Sequence, residues 1–140
     1  MEIETLIIAY LVNEETYEPG EIVIEEGTQG DWVYIVLEGR VKVTKRTSLG
    51  MLTIDILRQG AIFGEMALFG KALEARSASV LAADGPARVG VLDTRRLIDD
   101  YESLSPRIRL LIKALIMRLK ESNEKAASLV VAASEKKRKR

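Results

Sequence analysis

Residues 32–46 read Trp32-Val33-Tyr34-Ile35-Val36-Leu37-Glu38-Gly39-Arg40-Val41-Lys42-Val43-Thr44-Lys45-Arg46. Two runs rich in apolar and β-branched residues, Trp32 to Leu37 and Arg40 to Arg46, flank Glu38-Gly39. Near-alternation of apolar and polar residues is the signature of a half-buried strand. Gly39 predicts a tight hairpin turn with a positive φ, a conformation that penalises a Cβ. Runs of the same kind recur at Glu21–Ile24, Met51–Leu57, Ser77–Leu81 and Ala87–Leu92. Turn residues punctuate them: Pro19-Gly20, Gly27 to Gly30, Gly50, Gly60 and Asp84-Gly85-Pro86. Strands spaced by about ten residues predict an all-β sandwich or barrel.

The flanks read differently. Residues 3–12 predict one short amphipathic helix. From residue 93 the period becomes helical, with Asp93 or Thr94 capping a short helix to about Tyr101. Ser105-Pro106 then supplies a cap and a first-turn proline for a long helix. Ile108, Ile112, Leu115, Leu119, Ser122, Ala126, Leu129 and Ala133 recur along it at steps of four and three, a heptad-type seam. Part of that seam can pack on the β-domain, and the remainder can pair with its twin in a second chain. The expected fold class is therefore mainly β with flanking helices: a β-sandwich or jelly roll, a short N-terminal helix, and a long C-terminal helix from about residue 105. One domain, residues 1–134, is expected, followed by a basic, disordered tail at 135–140.

Composition narrows the chemistry. The chain has 140 residues, 47% of them hydrophobic and only 5% aromatic, so an aliphatic core is expected. It has no cysteine and no histidine. That removes disulfides, thiolate chemistry, and the commonest metal ligand and general base. With 21 basic and 21 acidic residues the net charge is zero, without the bias of a dedicated nucleic-acid binder. Lys136, Lys137, Arg138, Lys139 and Arg140 form a basic end, read as a solvated tail or as a weak contact for nucleic acid or anionic lipid. Met1 to Val12 carries Glu2 and Glu4 and no basic n-region and does not read as a signal peptide, and no apolar run approaches the length of a membrane span, so a cytoplasmic protein is expected.

One segment carries chemistry. Phe63-Gly64-Glu65-Met66-Ala67-Leu68-Phe69-Gly70 follows a strand-like stretch, and Glu74-Ala75-Arg76-Ser77-Ala78-Ser79-Val80 enters another. Gly64 permits close backbone approach to a ligand. Met66 to Phe69 can turn into a short helix whose first amides face an anion. Glu65 is an acceptor suited to sugar hydroxyls, Arg76 a fork of donors for a phosphate, and Ser77 a further hydroxyl. On these residues alone a plain turn and a solvated or acid-paired arginine compete with a sugar-phosphate site.

These motifs resemble the phosphate-binding cassette of cyclic-nucleotide-binding domains. Pro19-Gly20-Glu21-Ile22-Val23-Ile24-Glu25-Glu26-Gly27 and Tyr34-Ile35-Val36-Leu37-Glu38-Gly39-Arg40-Val41-Lys42-Val43 resemble that family's first strands and glycine turns. The resemblance runs from about residue 17 through the C-terminal helix. It implies a jelly-roll β-roll with helices at both ends. It also implies that Arg76 pairs with the cyclic phosphate and Glu65 accepts from the ribose 2′-hydroxyl. The amides around Gly64, Met66 and Ala67 would line the pocket, and Ser77 would contact phosphate or base. Met117-Arg118-Leu119-Lys120-Glu121-Ser122-Asn123-Glu124-Lys125 is similar to the dimer helix of bacterial catabolite activator proteins. That similarity places Ser122 and Asn123 at the adenine, one of them from the partner subunit.

Three departures stand out. Ala75 replaces the family's usual proline, loosening the turn without removing a ligand contact. The connection from Glu65 to Arg76 is longer than in the commonest cassettes. No helix-turn-helix reader follows the long helix, so specific DNA binding is not expected. The expected function is a stand-alone, non-enzymatic sensor that binds a cyclic nucleotide and signals through its C-terminal helix. Neither cofactor nor metal is expected. Ser77, where threonine often accompanies cyclic GMP, favours cyclic AMP. The expected partners are a second copy, through residues 108–133, and an effector protein. Two alternatives are a degenerate domain kept for protein contacts without ligand, and a cupin-like metalloenzyme, for which the histidine ligands are missing.

Overall fold

The structure, a computed structural model, describes residues 3–69, 76 and 78–138. Two four-stranded antiparallel sheets face each other in a jelly roll. One sheet has the order β1 (Leu11–Tyr17), β8 (Ala87–Leu92), β3 (Val33–Glu38), β6 (Ile62–Phe63). The other has β2 (Ile22–Ile24), β7 (Ser79–Ala82), β4 (Val41–Thr47), β5 (Gly50–Leu57). Helix α1 (Ile3–Tyr10) precedes the strands, a 3-10 turn covers Glu65–Phe69, and α2 (Thr94–Glu102) and α3 (Pro106–Arg138) follow.

Two apolar clusters organise the core. Ile24, Val36, Val41, Phe63, Val80, Ala82, Ala87 and Val89 fill the space between the sheets. Leu6, Val33, Ile35, Leu37, Ala67 and Leu92 form a second cluster, with Ile7, Leu68 and Leu97 of the helical segments packed on it. Strand β3 contributes to both, which is why its sequence is apolar almost without interruption.

The turn at Gly39 has the expected positive φ, +79°, but it is not a hairpin. Its flanking strands belong to different sheets: β3 pairs with β6 and β8, whereas β4 pairs with β5 and β7. The turn is thus a corner of the jelly roll. The tight hairpin lies one strand later, where Thr47 pairs with Gly50 across two turn residues, and Gly50 takes a φ of +100°.

The first helix ends at Tyr10 rather than residue 12, and Leu11 opens β1. The Asp93 N–H donates to the Tyr10 carbonyl at 2.7 Å, fixing this switch. β1 is an edge strand with β8 as its one neighbour, so most of its side chains are exposed and its polar composition hides it. The helix starts follow local chemistry. The Asp93 carboxylate accepts from Arg96 N–H at 3.1 Å, and Ser105 Oγ accepts from Ile108 N–H at 3.4 Å. α3 extends through Glu135 to Arg138, four residues into the segment that the sequence marks as a tail.

Candidate functional site

Between the second sheet, β6, the 3-10 turn and α3 lies a cavity of about 250 Å³. Its floor is apolar, from Ile24, Val43, Ile54, Leu57, Phe63 and Val80. Phe63 is buried and stacks on Tyr34, with ring centroids 5.2 Å apart and planes 13° from parallel.

One polar wall comes from Gly64, Glu65, Met66 and Arg76. Gly64 has a φ of +80°, and a Cβ there would lie 2.7 Å from the Trp32 carbonyl oxygen. Glycine thus lets the chain leave β6 and turn at once into the 3-10 segment. Glu65 opens that segment and is half-buried. Arg76 is fixed at both ends. Its N–H donates to the Thr28 carbonyl at 2.7 Å, and its carbonyl accepts from Gly27 N–H at 2.8 Å. Its guanidinium donates to the Trp32 carbonyl at 3.2 Å and makes a long contact of 3.5 Å with the Gly64 carbonyl. Burial, and secondarily the Glu15 carboxylate, push the Tyr34 phenol above its ordinary pKa, while the positive charge of Arg76 pulls it down. Tyr34 is therefore a neutral neighbour of the guanidinium at physiological pH.

The opposite wall is α3. Lys120, Asn123, Glu124 and Ala127 line the cavity at the i, i+3, i+4, i+7 spacing of one helix face, with Leu119 beside them at its edge. Asn123 is on this face; Ser122 is exposed and does not line the cavity. Ala67 is also elsewhere: its side chain is buried in the second core cluster, and its N–H donates to the Gly64 carbonyl at 3.3 Å. Ser77 and Ala75 lie outside the described residues. The structure thus brings Gly64, Glu65, Met66, Arg76 and Asn123 around one space.

The sequence reading did not single out the apolar floor or the flanking α3 residues. The helical spacing around Asn123 was the available signal for Lys120, Glu124 and Ala127. Asp55 carried no such signal. Ile54 and Asp55 are consecutive yet both line the cavity, because the β4–β5 ladder shifts register between Val43 and Thr44. Such a bulge re-aims side chains that would otherwise alternate.

Residues 14–101 match the family model for the cyclic nucleotide-binding domain. The chain belongs to that family. It is 34% identical over 102 residues to the cGMP-dependent protein kinase egl-4 of Caenorhabditis elegans, across 69% of this chain and 13% of the kinase. It is 32% identical over 114 residues to the cAMP-dependent protein kinase type II regulatory subunit of Drosophila melanogaster, across 71% of this chain and 30% of that subunit. Among solved structures, the cAMP-bound form of the EAL enzyme Bd1971 superposes with a TM-score of 0.70 at 30% identity, covering 82% of this chain and 30% of that one. The Thermus thermophilus catabolite activator protein superposes at 0.61 with 26% identity, covering 91% of this chain and 58% of that one. The chain therefore spans a minor part of these kinase relatives. No helix among the described residues is long and apolar enough to cross a membrane.

Proposed function

We propose that the chain is a sensor that binds a cyclic nucleotide, cyclic AMP in preference to cyclic GMP, and passes the signal through α3. The observation that carries this reading is the cavity itself, with Arg76 and Glu65 on one wall and Asn123 of α3 on the other. In this reading Arg76 takes the cyclic phosphate and Glu65 the ribose 2′-hydroxyl. Asn123 meets the base, and the backbone around Gly64 and Met66 lines the sugar-phosphate end. Ser77, beside the arginine, contacts phosphate or base and favours cyclic AMP. A ligand that touches both walls shifts α3 by as much as its affinity differs between two helix positions.

Calorimetry with both nucleotides tests the reading. Binding of cyclic AMP, tighter than that of cyclic GMP, is the expected result. No heat from either ligand at high micromolar concentration would favour the other reading, a domain kept for protein contacts.

The output surface in this proposal is a homodimer along α3. Ile108, Leu115, Leu119 and Leu129 of the helical seam are exposed, with Leu115 at 55% and Leu129 at 62%. Four large aliphatic side chains along one helix stripe favour a second copy of the same stripe over water. Ser122 lies on that seam and faces outward, where it can reach a partner's ligand. Light scattering should give a dimer mass, and a monomer both with and without nucleotide would overturn this part.

A further inference from the structure

We propose that Gly30 is a positioning residue for the ligand-binding arginine. By carrying no side chain it leaves a seat for the Arg76 guanidinium, so the loop between β2 and β3 sets where that guanidinium points. The inference rests on the cyclic-nucleotide reading of the cavity.

The geometry comes from three contacts that converge on one side chain. Gly27 and Thr28 hold the Arg76 backbone by hydrogen bonds of 2.8 and 2.7 Å. The Trp32 carbonyl accepts from the guanidinium Nη2 at 3.2 Å. Between them, a Cβ built on Gly30 would lie 3.2 Å from Nη2, 3.6 Å from Nε and 3.8 Å from Cζ of Arg76, with no other atom closer. A methyl group there meets the guanidinium first, and Nη2 must give way by a few tenths of an ångström. Nη2 is also the atom anchored to Trp32, so the displacement works against that hydrogen bond. The phosphate fork is directional, and a small tilt misaligns its paired donors.

The backbone makes this separable from stability. Gly30 has no positive φ, unlike Gly27 and Gly64, so alanine is conformationally acceptable there. Replacing glycine by alanine at such a position restricts the unfolded chain and does not destabilise the fold.

The test is a cycle of four proteins: wild type, Gly30→Ala, Arg76→Lys and the double variant, each titrated with cyclic AMP by calorimetry and melted without ligand. Lysine keeps a positive charge but has no Nη2 for the methyl group to meet. Gly30→Ala is expected to raise Kd roughly five- to tenfold with Arg76 present and by less than about twofold in the Arg76→Lys background, the signature of residues in direct contact. Its melting temperature is expected to be equal to or above that of the wild type. An unchanged Kd in the single variant, an equal loss in both backgrounds, or a weaker affinity that tracks a lowered melting temperature overturns the proposal. If the wild type itself takes no cyclic nucleotide, the reading of the cavity fails and this inference falls with it. A wild type that binds alongside an unaffected Gly30→Ala removes only the role of Gly30.

Discussion

Arg76→Ala is expected to weaken cyclic AMP binding by about 1.5–3 kcal/mol or more, roughly ten- to 150-fold in Kd, the scale of hydrogen bonds to a charged group. The electrostatic setting argues for the upper part of that range. Two other arginines of the β-domain meet carboxylates: Arg40 pairs with Asp84, and Arg88 with Glu14 and Glu38. Arg76 meets none among the described residues, and its guanidinium donates instead to the carbonyls of Trp32 and Gly64. Carbonyl oxygens orient a guanidinium without cancelling its charge. A solvated structural arginine gains little from such a place beside an apolar cavity, whereas one that awaits an anion needs it. Lys45 and Lys120 also line the cavity, but an ammonium is a point charge and does not replace the paired donors of the guanidinium. Calorimetry gives the affinity. Trp32 is the one tryptophan of the chain, and its carbonyl is tied to Arg76, so its fluorescence offers a second titration signal. Stability in the absence of ligand should change little, because Arg76 is only partly buried and its removal breaks no ion pair among the described residues. An affinity equal to that of the wild type would refute the phosphate role.

What was legible in the sequence divides along physical lines. β3 and β8 are apolar because helices cover one face of their sheet and the second sheet covers the other, so a short apolar run was enough to find them. β1 was not legible: Asn13, Glu14, Glu15 and Thr16 lie on an edge strand whose backbone pairing with β8, not its side chains, makes it a strand. The corner at Gly39 shows a different limit. The positive φ follows from the glycine, but whether the two strands pair with each other depends on partners distant in sequence. In the candidate site, Gly64, Glu65 and Arg76 were legible only as candidates, which the family pattern joined and the fold brings around one cavity. The long-range contacts that hold Arg76 through Thr28 and Trp32 could be read only from the folded chain. Ser122 and Asn123 are adjacent in sequence, yet the cavity face of α3 follows the stripe of Leu119, Lys120, Asn123, Glu124 and Ala127, and Ser122 falls just outside it.

Gly39→Ala should produce the largest loss of stability among single-methyl additions at the turns, about 2–4 kcal/mol, from backbone strain and steric overlap together. The backbone at Gly39 has a φ of +79°, which by itself costs an L-residue about 1–2 kcal/mol. The added Cβ would also overlap the Pro86 carbonyl oxygen and lie 3.1 Å from Ala87 Cα. Neither neighbour can retreat easily. Ala87 is fully buried in the core between the sheets, and the Glu38–Arg88 register pins the adjacent strand. Val41, two residues beyond the corner, is also fully buried and pairs with both Leu57 and Ala82. Gly20 is the control. Its φ is +85°, but nothing lies within 4 Å of a Cβ there, so Gly20→Ala should lose only the conformational part, about 1–2 kcal/mol. Urea unfolding of the two variants separates the terms, provided the slope with denaturant stays that of the wild type. Equal losses at Gly20 and Gly39 would show that the corner relaxes and that its close packing on Pro86 contributes nothing. Because Gly39 does not line the cavity, the folded fraction of Gly39→Ala should bind cyclic AMP as the wild type does. A joint loss of stability and intrinsic affinity would instead mean that the corner between the sheets sets the shape of the cavity.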